Sequence, residues 1–401
     1  MEPVNLLLVG CGMMGARHVR GLGELERVTP GSLRLGAVCD RREDLAVAVA
    51  DEAQELLGAR PAVFTDVEDA LREVPDLQAA DVVTDPRSHD ALVGGLLQTG
   101  LDIICEKPLA LTIARGRRMI DVARQYGRVL ATAENNRWDP MNRLGRACIN
   151  GGLIGRPNFV LQVATIPVDR IIATAWRHRL AMGGLLLDVA IHGGYMLEYL
   201  LGPVDAVCAQ AQLSCTHRQG AGYDGQHVEV EVDAEDCFSA LLEFGAGAQG
   251  SWTGHFATPG HTPSQRVIFG DEGTIICPPG RSGQPVEIRR GADTLKGDDL
   301  VAQAPGYQLS EMETRLFGDR PGSYSLEATV TDRKLIAAEM DDFLTAVRER
   351  GEPEADGATG LRAVAFIYAI LESALARRPV TLEEILGGSL HAYQDMVEAA
   401  Q

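Results

Sequence analysis

The chain predicts an α/β protein of two domains: an N-terminal doubly wound parallel sheet, then an α+β domain built on a large, mostly antiparallel open sheet. Three observations carry that reading. An apolar run from Val4 to Val9 opens directly into Gly10-Cys11-Gly12-Met13-Met14-Gly15. Up to about residue 134, short apolar runs alternate with helix-compatible segments, the pattern of a parallel sheet covered by helices. Beyond residue 150 the runs lengthen and alternate with period two, as in Val228-Glu229-Val230-Glu231-Val232, which suits antiparallel strands with one wet face. At 401 residues the chain is long for a single hydrophobic core.

The glycine-rich segment has the grammar of a dinucleotide grip, which makes the first domain a Rossmann fold. Gly10 permits the tight turn, Gly12 lets backbone approach a pyrophosphate, and Gly15 allows the next helix to pack closely on the sheet. The unpaired N–H groups of that helix, beginning near Met13 and Met14, face the phosphates. Leu33 to Cys39 reads as the second strand, with Asp40 at its carboxyl end. There an acid accepts hydrogen bonds from the adenosine ribose and repels a 2′-phosphate, so NAD is favoured; Arg41 and Arg42 beside it leave NADP open. Cys11, inside the loop, is read as a small space-filler under the cofactor.

Further strand runs follow at Ala62 to Phe64, Asp81 to Thr84, Leu101 to Cys105 and Val129 to Thr132, with helical segments at 42–57, 89–98 and 110–126. Thr84, at the end of the fourth run, and Pro86 and His89 after it are assigned to the cofactor. The fifth strand ends in Glu106-Lys107-Pro108, at the sheet edge where open α/β folds bind ligands, and the proline holds the lysine on a rigid turn. In the second domain, strands are expected at 159–165, 204–213, 228–232, 238–244, 249–256, 266–269 and 286–289. Leu335, Met340, Phe343, Leu344 and Val347 line one side of a late helix, and 358–376 forms another that is nearly all apolar. Residues 292–328, with little periodicity, read as a long surface excursion.

A formal charge of −19 argues against nucleic acid and anionic membranes as partners, since both need a clustered positive field. No uninterrupted apolar run reaches bilayer length, and the N-terminus lacks the features of a signal peptide. The eight cysteines show no CxxC pair or zinc spacing, so reduced thiols, no metal and a cytoplasmic address are expected.

The second domain also holds Trp176-Arg177 and then Gly183-Gly184-Leu185-Leu186-Leu187-Asp188-Val189-Ala190-Ile191-His192. Asp188 and His192 are four residues apart, so a helix puts both on one face. A carboxylate there can orient an imidazole or share a substrate hydroxyl with it, an arrangement suited to general-base catalysis near neutral pH. Arg137, Trp176 and Arg177 are candidates for the substrate wall.

Taken together, these segments resemble the glucose-fructose oxidoreductase, inositol 2-dehydrogenase and MocA (Gfo/Idh/MocA) family over nearly the whole chain. The resemblance rests on the glycine loop, Glu106-Lys107-Pro108, Asn136-Arg137-Trp138-Asp139-Pro140, the Gly-Gly-x-x-x-Asp-x-x-x-His pattern at 183–192 and the Gly270-Asp271-Glu272-Gly273-Thr274 turn. It implies an NAD(P)-binding domain over 1–134, a substrate-binding and oligomerisation domain over 135–385 and a tail helix over 386–401. Lys107, Asp188 and His192 are then expected to converge on the nicotinamide, with a sugar or cyclitol as substrate and a homodimer or homotetramer formed through the open sheet. His192 is the expected base, Lys107 the stabiliser of the alkoxide, and Asp188 the group that orients His192 or grips a neighbouring hydroxyl. Asp85 and Ala190 depart from the family pattern; Asp85 is expected to alter cofactor contacts or hold a sugar hydroxyl. The alternative activity is bond cleavage with transiently used, tightly bound NAD and no net redox.

Overall fold

The computed structural model describes residues 2–172, 174–222 and 225–401. Six parallel strands build the first sheet: β1 (Val4–Val9), β2 (Leu33–Cys39), β3 (Ala62–Phe64), β4 (Ala79–Val82), β5 (Asp102–Glu106) and β6 (Leu130–Ala133). Their order, β3-β2-β1-β4-β5-β6, is the doubly wound arrangement whose strand order reverses beside β1. All six residues of β1 are buried, as a central strand covered on both faces requires. One expectation shifts: β4 begins at Ala79, so Val83 and Thr84 belong to the loop after it.

The glycine loop shows why it needs glycine. Gly10 has φ +102°, and a Cβ there would stand 2.9 Å from the Val83 backbone. At Gly15 a Cβ would lie 2.1 Å from the Gly10 carbonyl oxygen, so the helix Met13–Val28 seats only without one.

The second sheet has nine strands: β7 (Pro157–Pro167), β8 (Val204–Gln212), β11 (Cys237–Phe244), β12 (Gln249–Thr258), β13 (Gln265–Gly270), β14 (Thr274–Cys277), β15 (Glu287–Arg290), β16 (Asp293–Lys296) and β17 (Val380–Thr381). Only the β7–β12 pair is parallel; the other pairs run antiparallel. One face is wet, as the alternation predicts, while the other buries Val160, Trp252, Ala240, Leu242 and Ile268. A separate hairpin, β9 (His217–Ala221) with β10 (His227–Glu231), stands off the sheet. The sequence pattern shows β10 but not β9, whose polar residues His217-Arg218-Gln219 carry no alternating apolar signal.

The chain then folds back onto the first domain. Helix Ala328–Glu349 lies against Met13–Val28 so closely that a Cβ on Gly21 would meet Ile336, and Asp332 accepts from Arg17. Residues 292–328 are less superficial than expected: Leu316 and Phe317 are buried, and the Tyr307 hydroxyl donates to the Pro140 carbonyl at 2.9 Å. Such anchors are too widely spaced to register as a period. Two stretches, Leu180–Leu201 and Gly357–Ala376, are long and apolar enough by composition to cross a bilayer, although charges interrupt both, Asp188 and Glu198 in the first and Arg362 and Glu372 in the second. In both, 72% of the apolar window is packed inside the protein, because they are core elements between the sheets. All eight cysteines are free thiols.

Candidate active site

Two adjoining cavities open along the carboxyl edge of the first sheet. The larger, about 770 Å³, is lined by Gly10, Gly12, Met13, Met14, Asp40, Arg41, Thr84 and Asp85, and from the second domain by Thr174, Trp176 and Arg177. Nothing lies within 4 Å of where a Gly12 Cβ would sit, so backbone and the amino end of helix Met13–Val28 face open space. That cradle fits a dinucleotide pyrophosphate. The Asp40 carboxylate accepts from the Cys11 N–H at 2.7 Å and the Arg42 N–H at 2.9 Å, which fixes it at the cleft. The Arg42 guanidinium turns to Asp44, leaving Arg41 as the cation at the adenosine end. Burial pushes the Cys11 thiol up to about 12, consistent with a space-filler. We expect Asp40→Ser to raise the NADP-over-NAD ratio of kcat/KM by about 10²-fold, because a like charge at the 2′-phosphate is removed; matched titrations with the two cofactors check it.

The smaller cavity, about 330 Å³, lies where Lys107, Asp188 and His192 meet. Lys107 follows β5 directly and its bond to Pro108 is cis. Its Nζ donates to the Asp188 carboxylate at 3.0 Å and to the Asp188 backbone carbonyl at 2.7 Å. Arg177 donates to the same carboxylate oxygen. Burial alone would raise the Asp188 carboxyl, but Lys107 and Arg177 hold it below its usual range. Asp188 sits in a π-helical turn, Leu186–Ala190, a form often found at functional sites, which runs into helix Ile191–Leu201.

His192 lies four residues on, but its partner is not Asp188. Its Nδ1 donates to the Glu134 carboxylate at 2.6 Å. Glu134 follows β6, is fully buried, and also accepts from the Asn136 backbone N–H and side-chain amide at 3.1 and 2.9 Å. Burial alone would raise this carboxyl; His192 and the Asn136 N–H hold it below its usual value, so it is an acceptor and the Nδ1 carries the proton. Nε2 is the ring nitrogen left for the cavity that His192 lines. Sequence reasoning missed Glu134, although an acid ending a strand at the ligand-binding edge is the signal that finds it.

Behind the lysine is a second network the sequence reading missed. His18, fully buried on the first helix, places Nδ1 2.8 Å from Asp81 and Nε2 3.3 Å from Glu106. Burial works against its charge, but Asp81 and Glu106 raise it well above the ordinary histidine value. Burial would likewise raise Glu106; His18 and Lys107 instead bring it down to about 2. Glu106 therefore contributes stability that is present above its unfolded value of 4.5 and lost as pH falls through about 2. The His18 contribution is full below 6.5 and lost as pH rises through its own raised value. The Glu106 shift corresponds to about 3 kcal/mol. Thermal melts from pH 5 to 2 are expected to show a steep loss of stability that flattens in Glu106→Gln. The spacing of His18 from Gly15 and Leu22, on the buried helix face, is the signal available in sequence.

Other candidates fall elsewhere. His89 is fully buried; Nδ1 lies 3.1 Å from the Pro108 carbonyl and Nε2 3.2 Å from the Thr84 carbonyl, so it braces two loops and lines neither cavity. Pro86 is buried beside it. Arg137 lies over the Tyr199 ring, 4.7 Å from its centroid, and 3.6 Å from Glu354, outside both cavities. Trp176 lines the cofactor cleft and not the smaller cavity, whereas Arg177 lines both. Asp85 also faces the cofactor cleft, 3.3 Å from Arg87, and is not among the residues of the smaller cavity. Among the described residues no cluster of His, Cys, Asp and Glu is arranged to hold a metal.

Known proteins resemble this chain over most of its length. The family model described as an oxidoreductase family with an NAD-binding Rossmann fold matches residues 4–134, and its C-terminal alpha/beta domain matches 146–382. Myo-inositol 2-dehydrogenase of Thermotoga maritima is 26% identical over 388 residues, covering 95% of this chain and 99% of that protein. Levoglucosan dehydrogenase of Pseudarthrobacter phenanthrenivorans is 26% identical over 409 residues, covering 96% and 100%. An NAD-binding oxidoreductase of Klebsiella pneumoniae superposes with a TM-score of 0.76 at 25% identity, over 95% of this chain and 99% of that one. With a glycine-loop cleft, a lysine-aspartate-histidine cavity beside it and both domains matched in order, the chain belongs to the Gfo/Idh/MocA family of NAD-binding oxidoreductases.

Proposed function

We propose that this protein is an NAD-dependent dehydrogenase of sugars or cyclitols, moving a hydride between the nicotinamide and a secondary hydroxyl or ketone. The observation that carries this is an imidazole, an ammonium and a carboxylate lining one cavity that adjoins the dinucleotide cleft. Gly10, Gly12, Met13, Met14 and Asp40 would hold the cofactor, which when bound supplies the hydride acceptor. His192 Nε2 takes the hydroxyl proton, and the Nδ1–H bond to Glu134 stabilises the imidazolium that results. Lys107, held on Asp188 by two of its N–H bonds, has the third for the oxygen on which charge develops. Asp188 thus acts by positioning Lys107 and Arg177, not by orienting His192. The reverse reaction uses the same groups, with His192 as acid and Lys107 polarising the carbonyl.

A panel of sugars and inositols with NAD, followed by the reduced-nicotinamide absorbance, tests this; turnover of at least one polyol is expected. If none turns over while NAD binds, the reading fails. The outer sheet face carries the exposed Phe159 and Phe269, whose ring centroids are 6.3 Å apart, and Leu241, which supports the expectation of a homodimer or homotetramer through that face.

A further inference from the structure

The smaller cavity carries a charge pattern that the polyol reading does not require. Five cationic side chains line it, Arg17, Lys107, Arg170, Arg177 and Arg281, against three carboxyls, Glu106, Asp188 and Glu339. The whole chain has a formal charge of −19, so this excess is local and not a reflection of composition.

Most of the cations are spoken for. Lys107 and Arg177 share Asp188, while Arg17 and Arg281 share Asp332 at 2.5 and 2.8 Å. Arg281 makes that pair from a left-handed backbone, φ 62°, a conformation that costs energy for a residue with a Cβ. Among the carboxyls, Glu339 is buried at 4% exposure with Oε2 unpartnered. Burial raises it well above the ordinary range, with Glu106, Glu134 and Asp81 adding to the effect and His18 opposing it. Burial thus works against the charged form of this cavity-lining acid, which tips the local balance further toward the cations.

Arg170 is different. Among the described residues the guanidinium of this exposed residue has no hydrogen-bond or ion-pair partner, although its backbone is braced. The fully buried Arg218 on β9 donates to the carbonyls of Val168, Pro167 and Arg170 at 3.0, 3.1 and 2.9 Å. A bridge joins Arg170 to Ala221, and Gly220 approaches so closely that a Cβ would stand 1.7 Å from the Asp169 carbonyl oxygen. The hairpin holds an unpartnered cation at the cavity wall.

We infer that the substrate is an anionic polyol, a sugar or cyclitol bearing a carboxylate or phosphate, whose charged group is bound by Arg170. This rests on the dehydrogenase reading and deepens it. A forked guanidinium suits either anion, and a cavity of about 330 Å³ suits one monosaccharide.

The test compares matched pairs with NAD: glucose against glucuronate, galactose against galacturonate, and inositol against inositol monophosphate. Wild type is expected to favour the anion at least tenfold in kcat/KM, with the carboxylate and phosphate arms showing which source fits. Arg170→Ala should cut that preference at least tenfold, mainly through KM, and Arg170→Glu should reverse it. Calorimetric binding of glucuronate and inositol monophosphate to NAD-loaded protein provides the second readout. Equal turnover of neutral and charged polyols, or a preference unmoved in both variants, overturns the inference and leaves the dehydrogenase reading standing. Arg170-dependent binding of an anion without turnover of any polyol removes the dehydrogenase reading and, with it, the inference that the anion is a substrate. Neither binding nor turnover of any anion overturns the inference outright.

Discussion

Lys107→Met is expected to lower kcat by about 10³-fold, the loss that follows when a preorganised charge at a developing oxyanion is removed. Methionine keeps the length of the stem and loses the ammonium. In its place, Asp188 keeps only Arg177 as a cationic partner, and the lysine N–H that would meet the alkoxide is gone. The effect should fall on the chemical step. Single-turnover kinetics with a substrate deuterated at the reacting carbon would show a full isotope effect in the variant, and a loss of less than threefold in that step would remove Lys107 from the chemistry.

His192→Asn is expected to cost about 10³-fold in kcat, within the range general-base removal spans. Glu134→Gln tests the more specific claim. The buried carboxylate accepts the Nδ1 proton at 2.6 Å and so sets which ring nitrogen faces the cavity. Glutamine keeps the shape but not the charge that stabilises the imidazolium, so kcat should fall about 10²-fold, as when a partner that orients a metal-binding histidine is removed. The double variant should be scarcely worse than His192→Asn alone, because residues acting as one unit do not add. Full additivity would mean that Glu134 acts on something other than His192. Retained NAD binding, measured by nicotinamide fluorescence, separates these losses from unfolding.

Much of the fold is legible in the chain because its signals are local. The buried run of β1, the glycines that follow and Asp40 lie within forty residues, and each has a backbone reason to be where it is. Lys107 is legible too, since the end of a parallel strand is where such sheets bind ligands. The polar strand β9 and the anchors within 292–328 are not, because neither carries a hydrophobic period. Their roles come from distant partners: Arg218 braces a loop some fifty residues earlier, and Arg315 donates to the Val28 carbonyl on the first helix.

The site divides in the same way. Residue type and spacing pick out Lys107, Asp188 and His192, but spacing also suggests that the last two pair with each other. The structure separates them: Asp188 turns to Lys107 and Arg177, and His192 to Glu134, which arrives from the end of β6. His89 and Arg137, plausible as ligand-binding residues from type alone, are taken up by backbone carbonyls, a tyrosine ring and a glutamate. The amino-acid sequence by itself determined the parallel sheet, the dinucleotide loop, the family and the three polar residues. These depend on backbone permissiveness and short-range periodicity, which neighbouring residues settle between them. Only the tertiary structure decided the pairing of the ionisable groups, the burial of Glu339 with an unpartnered Oε2, and the unpartnered Arg170. Such properties depend on burial and on which charges stand within a few ångströms, and residues far apart in the chain supply both.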